Sequence, residues 1–371
     1  MGLGSKLQSA EWTMLLGWLN AACAAHGGGG PPPPETPADW DKLLALARRH
    51  RVVPLLYEGM RKAGRETEAP QALLVECRRN AARMLALAAE WSRLHRRFAR
   101  EGVRCLTLKG PALALLLYGD VTMRTCKDLD LLVSERDFPR VQEVLLQEGY
   151  VRASGGAEER ENAEAHHAAF VHPARNVQLE VHWRLSRGIE RAPDFEELWA
   201  RGGRVRFGGA EGRTLGKEDL LLYLLAHGAE HGWFRLHWLL DVERLAAAGV
   251  RWEEAERLMA AYRCEAAAGQ AALLMSALFG AAPPEMMRHA RTRRAQALAK
   301  AAMPLIAGSR PAPETSAFIA YSLLLRSGAR RFRYIFLPNE RDRGTIALPE
   351  GLRALYVPLR PLLWCWRVVK R

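Results

Sequence analysis

Apolar residues recur at helical spacing over 40–59, in WDKLLALARRHRVVPLLYEG, and over a longer run from about 70 to 100 that stops before Gly102. That period predicts amphipathic helices, so the first hundred residues read as mostly helical. Between 27 and 37 the string GGGGPPPPETP can hold neither a regular helix nor a central strand, and it reads as a loop or flexible linker. The pattern changes at 103–108, where VRCLTL is short, partly β-branched and followed by Lys109, Gly110 and Pro111, as in a strand that runs into a tight turn. Pro111 suits the first position of a helix continuing to Tyr118. DLDLLV at 128–133 returns as a strand with an acidic start, DFPRVQEVLLQEGY reads as a short helix ending at Gly149, and NVQLEVHW at 176–183 alternates as a further strand. Helical patterning resumes at Lys217 and persists to about Met303. The ending carries Pro338, Pro349, Pro358 and Pro361, which predict short broken pieces in place of one continuous helix.

This order predicts an α/β (α+β) chain: a helical N-terminal region over 1–100, a compact α/β unit over 101–215, a helical domain over 216–310 and an extension over 311–371. With 371 residues, 49% of them hydrophobic, the chain can bury a substantial core. Lys and Arg outnumber Asp and Glu by 54 to 41, giving a formal charge of +13, so an acidic partner such as phosphate, nucleotide or nucleic acid is expected. The basic runs are dispersed, as on solvated helix faces. Six cysteines stand without CxxC spacing, against a zinc ribbon or a secreted disulfide framework, and a reducing cytoplasm is the expected setting. Neither a secretory leader nor an uninterrupted apolar run of about 18 residues is visible, so export and membrane spanning are not expected.

The chemistry concentrates in three places. Alternation along a strand puts Asp128 and Asp130 on one face. Carboxylates held this close either share a proton or bind a divalent cation, and hard oxygen ligands of this kind suit Mg²⁺ shared with substrate phosphates. Upstream, the turn at Lys109 and Gly110 opens a helix whose N-terminal N–H groups form a phosphate cradle, with Lys109 as a point charge. Downstream, Glu180 shares a strand face with His182 and can join the aspartates. With Arg124 nearby, these are the parts of two-metal phosphoryl or nucleotidyl transfer. His227 and His231 lie four apart on a helix but lack the HExxH arrangement. They either pack against Trp233 and Trp238 or line a substrate cleft, where Arg235 would reach substrate phosphate. His166, His167 and His172 have no partner cysteine and are read as part of a strand or loop without a ligand role.

Several stretches together resemble the nucleotidyltransferase superfamily of DNA polymerase beta type, and within it a bacterial family known only as nucleotidyltransferases. They are DWDKLLALARRHRVVPLLY, LTLKGPALALLLYGDVTMRTCKDLDLLV with its following EGY, QLEVHW, and HGAEHGWFRLHWLLD. The resemblance implies a nucleotidyltransferase core with a mixed sheet, flanked by helical regions. It implies that Asp128, Asp130 and Glu180 hold Mg²⁺ or Mn²⁺, that Gly110 marks the phosphate turn, and that an NTP such as ATP is the donor. The acceptor is open: a small molecule, a modified peptide, a saccharide or RNA. Where the superfamily usually has Gly-Ser or Gly-Gly, this chain has Gly110 followed by Pro111. Similar KG turns occur in abortive-infection nucleotidyltransferase toxins, which keeps action on RNA in view. A nucleotide-binding module without turnover and a nucleic-acid-binding protein, whose affinity would fall steeply with salt, are the other readings.

Overall fold

The computed structural model describes residue 7 and residues 9–23, 39–153, 167–185, 193–308, 315–326, 328–338 and 340–369. The Gly/Pro string at 27–37 and His166 lie outside them. The helices of the N-terminal third are α1 (Ala10–Cys23), α2 (Trp40–His50), α3 (Val53–Lys62) and the 30-residue α4 (Gln71–Arg100). Local signals set the ends of α2. Asp39 accepts from the N–H groups of Asp41 and Lys42, while Arg48, Arg49 and His50 sit where the helix dipole favours positive charge. The chain leaves α2 through Arg51 in the left-handed region, with φ 57°. Gly59 on α3 allows close packing of α1, because a Cβ there would come within 2.0 Å of the Trp18 carbonyl oxygen.

The middle of the chain supplies β1 (Cys105–Thr107), α5 (Pro111–Tyr118), β2 (Asp128–Val133), α6 (Phe138–Gln147), β3 (Val151–Arg152), β4 (His167–His172), β5 (Val177–His182), α7 (Phe195–Arg201), β6 (Gly203–Phe207) and β7 (Ala210–Thr214). The strands form one mixed sheet in the order β3-β4-β5-β2-β1-β7-β6. The parallel pairs are β2 with β5 and β1 with β7, and the other neighbours are antiparallel. The remaining helices are α8 (Lys217–Glu230), α9 (Leu236–Ala247), α10 (Trp252–Tyr262), α11 (Glu265–Phe279), α12 (Pro284–Met287), α13 (Arg293–Ala307), α14 (Ser316–Leu325), α15 (Gly328–Phe336), α16 (Glu340–Thr345) and α17 (Tyr356–Val369). Among the described residues no single helix is long and apolar enough to cross a membrane.

Two apolar cores flank the sheet. Leu129, Leu131 and Val133 of β2 pack with Leu87, Trp91 and Phe98 of α4 and with Val141 and Leu145 of α6. Leu132 belongs instead to the larger core, with Leu220 and Leu224 of α8 and Leu239 and Leu240 of α9. The result is a helix–sheet–helix sandwich in which β2 is hydrophobic on both faces except at its start.

One hairpin was not foreseen, and one expectation changes in part. The hairpin β6–β7 had no clear period, since its residues are largely charged; its turn residues Gly208 and Gly209, both at positive φ, are the legible signal. The ending is in short pieces as expected, with Pro338 between α15 and α16 and Pro349 ahead of a 3-10 turn at Glu350–Leu355, but Pro358 and Pro361 both lie within one helix, α17, in its first turn and its interior. A first-turn proline forfeits no intrahelical bond, and Pro361 forfeits one.

Candidate active site

The acidic face follows from register. In the parallel pair, Asp128 lies opposite Gln178, Asp130 opposite Glu180 and Leu132 opposite His182. Asp128 and Asp130 share the parity of Leu132, so they project toward α8 and α9, as do Glu180 and His182 from the neighbouring strand. Ligand atoms of Asp130, Glu180 and His182 all lie within 4.8 Å of one another. His182 Nε2 is 3.4 Å from Asp130 Oδ1 and 3.4 Å from Glu180 Oε2. His167 of β4 stacks on the His182 ring with centroids 5.1 Å apart.

The Lys109 turn is tied to the same place. The Leu108 N–H donates to the Asp130 carbonyl at 2.9 Å, and Lys109 Nζ reaches Asp130 Oδ1 at 3.1 Å beside the ring of Tyr223. Gly110 caps α5 with φ 76° and ψ −147°, a conformation that strains any residue with a Cβ, and Pro111 follows at the first helical position. The positive end of α5 therefore opens beside the aspartates.

Burial and charge separate the carboxylates. Asp130 is only 2% exposed; burial alone would raise its pKa, but Lys109 and His182 outweigh it and hold the carboxyl below the ordinary range. Asp128 goes the other way, raised by burial and then by the negative charge of Asp130. Glu180 is lowered by its hydrogen bond to His182. Burial opposes charge on His182, yet its bonds to Asp130 and Glu180 raise its pKa. Lys109 is likewise raised, Asp130 outweighing burial.

Asp128, Asp130, Glu180, Lys109 and Arg124 line a cavity of about 260 Å³, closed on its far side by His227, His231, Arg235 and Trp238. Trp238 gathers the histidines, with ring centroids 5.3 Å from both His227 and His231. Arg235 lies over the rings of Phe234 and Trp238 at 4.9 and 5.7 Å. Of the two roles open to the histidines, both are realised at Trp238, whereas Trp233 turns inward against Gly228. Arg124 is buried, and its Nε and Nη2 are each 3.0 Å from Oδ2 of Asp241 on α9, whose Oδ1 accepts from the Tyr118 hydroxyl at 3.2 Å. His167 and His172 lie in β4, and His167 stacks on the site histidine without entering the ligand group.

Sequence reasoning passed over Arg51, Tyr223, Asp241 and Asn80. Asn80 donates to the carbonyls of Thr122 and Arg124 at 2.7 and 3.2 Å and accepts from the Thr125 hydroxyl at 2.8 Å, fixing the loop that leads into Asp128. No local signal marks it, because its partners lie more than forty residues away. Asp241 ends the stretch HGAEHGWFRLHWLLD, its one visible sign in the sequence.

A family model described as "Uncharacterised nucleotidyltransferase" matches residues 36–280, which include every residue of the acidic cavity. The chain belongs to this nucleotidyltransferase family. It is a transferase, its family chemistry is nucleotidyl transfer from a nucleotide donor, and such enzymes generally use divalent metals. Among solved structures it is similar to an antigenic nucleotidyltransferase-like protein from Paracoccidioides brasiliensis, at 16% identity and a TM-score of 0.33, over 53% of this chain and 92% of that one. No curated protein matches.

Proposed function

We propose that this nucleotidyltransferase moves a nucleoside monophosphate from an NTP, with ATP the first donor to test, to an acceptor oxygen by a two-metal mechanism. Asp128, Asp130 and Glu180 would hold Mg²⁺ or Mn²⁺. The observation that carries this reading is the register of Asp130 against Glu180, which gathers carboxylates on one cavity wall beside a helix N-terminus. The donor set fits the ion: carboxylate oxygens are the ligands Mg²⁺ takes, and an imidazole beside them is acceptable to Mn²⁺. Bound there, the cations neutralise phosphate charge and polarise the α-phosphoryl group.

The residues of the chain do the rest. Lys109 and the N–H groups behind Gly110 bind the donor's terminal phosphates, with Arg124 adding charge from a guanidinium that Asp241 orients. The acceptor oxygen bonds to the α-phosphorus, the bond to the bridging oxygen breaks, and pyrophosphate leaves. Glu180, held ionised by His182 and half-exposed to the cavity, takes the acceptor's proton. His227, His231, Arg235 and Trp238 wall the cavity against water and offer the acceptor polar and aromatic contacts. The six cysteines are all unpaired, which favours a reducing, cytoplasmic setting.

The test is a screen of the four NTPs with Mg²⁺ for pyrophosphate release against cell extracts and candidate acceptors, with Asp128→Asn as control. Release that depends on both acceptor and Asp128 supports transfer. Release unchanged in Asp128→Asn overturns the metal assignment. Tight Mg²⁺-ATP binding with no release against any acceptor would make the chain a binding module.

A further inference from the structure

A second, larger cavity of about 550 Å³ lies between α4 and the start of β5, and Arg51 lines both it and the catalytic cavity. The two meet round the entry to β2, where Thr125 faces one and Arg124, Cys126, Lys127 and Asp128 face the other. Five arginines line the larger one, Arg48, Arg51, Arg79, Arg83 and Arg175, against a single carboxylate, Glu76. That carboxylate is shared by Arg48 at 3.2 Å and Arg79 at 3.5 Å, while Arg83 donates to the neutral carbonyl of Lys127 at 3.4 Å. Arg175 pairs outside the lining with Glu90 at 3.2 Å. Arg79 and Arg83 stand four apart on one exposed face of α4, a like-charge spacing that costs isolated helices a few tenths of a kcal/mol. Five guanidinium groups thus converge on a groove that holds a single carboxylate.

We propose that this groove is the acceptor site and that the acceptor is a small molecule bearing a phosphate group, bound by the arginines with its nucleophilic oxygen delivered past Arg51 to the acidic cavity. The proposal rests on the transferase reading, since an acceptor site has meaning only beside a donor site. Guanidinium groups are the side chains best matched to phosphate, through paired N–H donors. The volume falls among those of small-molecule sites. A nucleic-acid strand is disfavoured: no aromatic side chain lines the groove, so bases have no surface to stack on, and Glu76 interrupts the basic track.

The experiment is calorimetric titration of the full chain, without divalent cation, with inorganic phosphate, ribose 5-phosphate, ribose and a short oligouridylate. The protein is compared with Arg79→Ala/Arg83→Ala and Arg79→Lys/Arg83→Lys, and thermal unfolding verifies that each variant is folded. Expected are binding of ribose 5-phosphate but not ribose, a loss of roughly tenfold or more in the alanine pair, and partial retention in the lysine pair. Tighter binding of ribose 5-phosphate than of inorganic phosphate assigns the groove to a phosphorylated acceptor; the reverse order makes it a site for the free anion and overturns the acceptor role. Equal affinity in wild type and the alanine pair overturns the site, as does the absence of phosphate binding. Oligouridylate binding lost in the alanine pair, with the small phosphates inert, assigns the groove to a strand and overturns the small-acceptor proposal. Mg²⁺-ATP binding is measured separately on the wild-type chain, so a failure of the transferase reading shows there and not in the groove.

Discussion

Asp128 and Asp130 are two positions apart, yet their surroundings give opposite expectations. Asp130 is the charge partner of Lys109 and His182, whereas Asp128 sits under the repulsion of Asp130. Asp128→Asn should therefore abolish transfer, by roughly a hundredfold or more, while raising the unfolding midpoint. Asp130→Asn should abolish transfer and lower the midpoint, because Lys109 loses its counter-ion and His182 a hydrogen-bond partner. Pyrophosphate release and thermal melting on both variants check this; a lower midpoint in Asp128→Asn would contradict the repulsion. His95 offers a pH test. Its Nε2 meets the Thr107 hydroxyl at 3.0 Å, and burial pushes its pKa down to about 4. The unfolded chain takes up the proton near the ordinary pH of about 6.5 while the folded chain refuses it, so stability is full above that pH and falls on acidification toward 4. The contribution is about 3 kcal/mol across that window, measurable as the difference between wild type and His95→Gln in denaturant titrations from pH 7 to 4.

At the scale of the element, one pairing decides the site. A shift of one residue between β2 and β5 would turn Val181 toward the cavity and bury Glu180 in the core of α4 and α6. The apolar residues Leu179 and Val181 pin the register, and Glu180 faces the cavity because they are buried. Glu180→Gln is isosteric and preserves the strand, so it should lower kcat far more than it weakens NTP binding. Steady-state kinetics beside calorimetry decide the point; a raised KM with kcat unchanged would remove Glu180 from the chemistry. Both strands and their faces were readable from alternation alone, as were the turn at Gly110 and the helix behind it. The edge strands β3 and β6, and β7 beside β6, were not: β3 is two residues long, and the GRVRF and AEGRT segments of the hairpin are rich in charged residues and glycine that carry little period.

At the scale of the molecule, the central sheet is fastened to its helical cover by a buried ion pair. Arg124, just ahead of β2, meets Asp241 of α9 with both side chains almost wholly inaccessible. Asp241→Ala should destabilise the protein by about 3–5 kcal/mol, since Arg124 would be left charged and unpaired, and should weaken donor binding through the displaced guanidinium. Denaturant unfolding and NTP titration measure the two effects, and an unchanged unfolding midpoint would mean that water replaces the pair. Arg49 makes a second long-range tie, donating to the carbonyls of Leu305, Ile306 and Ala307 at the end of α13. By itself the sequence determined what depends on neighbours along the chain: the helices by their period, the central strands by alternation, the Gly110 turn by its residues, and the shared face of Asp128 and Asp130. Only the tertiary structure decided what depends on residues far apart: that Glu180 meets Asp130, that Asp241 holds Arg124, that Asn80 shapes the loop before Asp128, and that arginines from α2, α4 and the start of β5 converge on one groove. The physical reason is that period and turn chemistry act over a few residues, whereas buried charge is satisfied by whatever partner the packing of the two cores brings within reach.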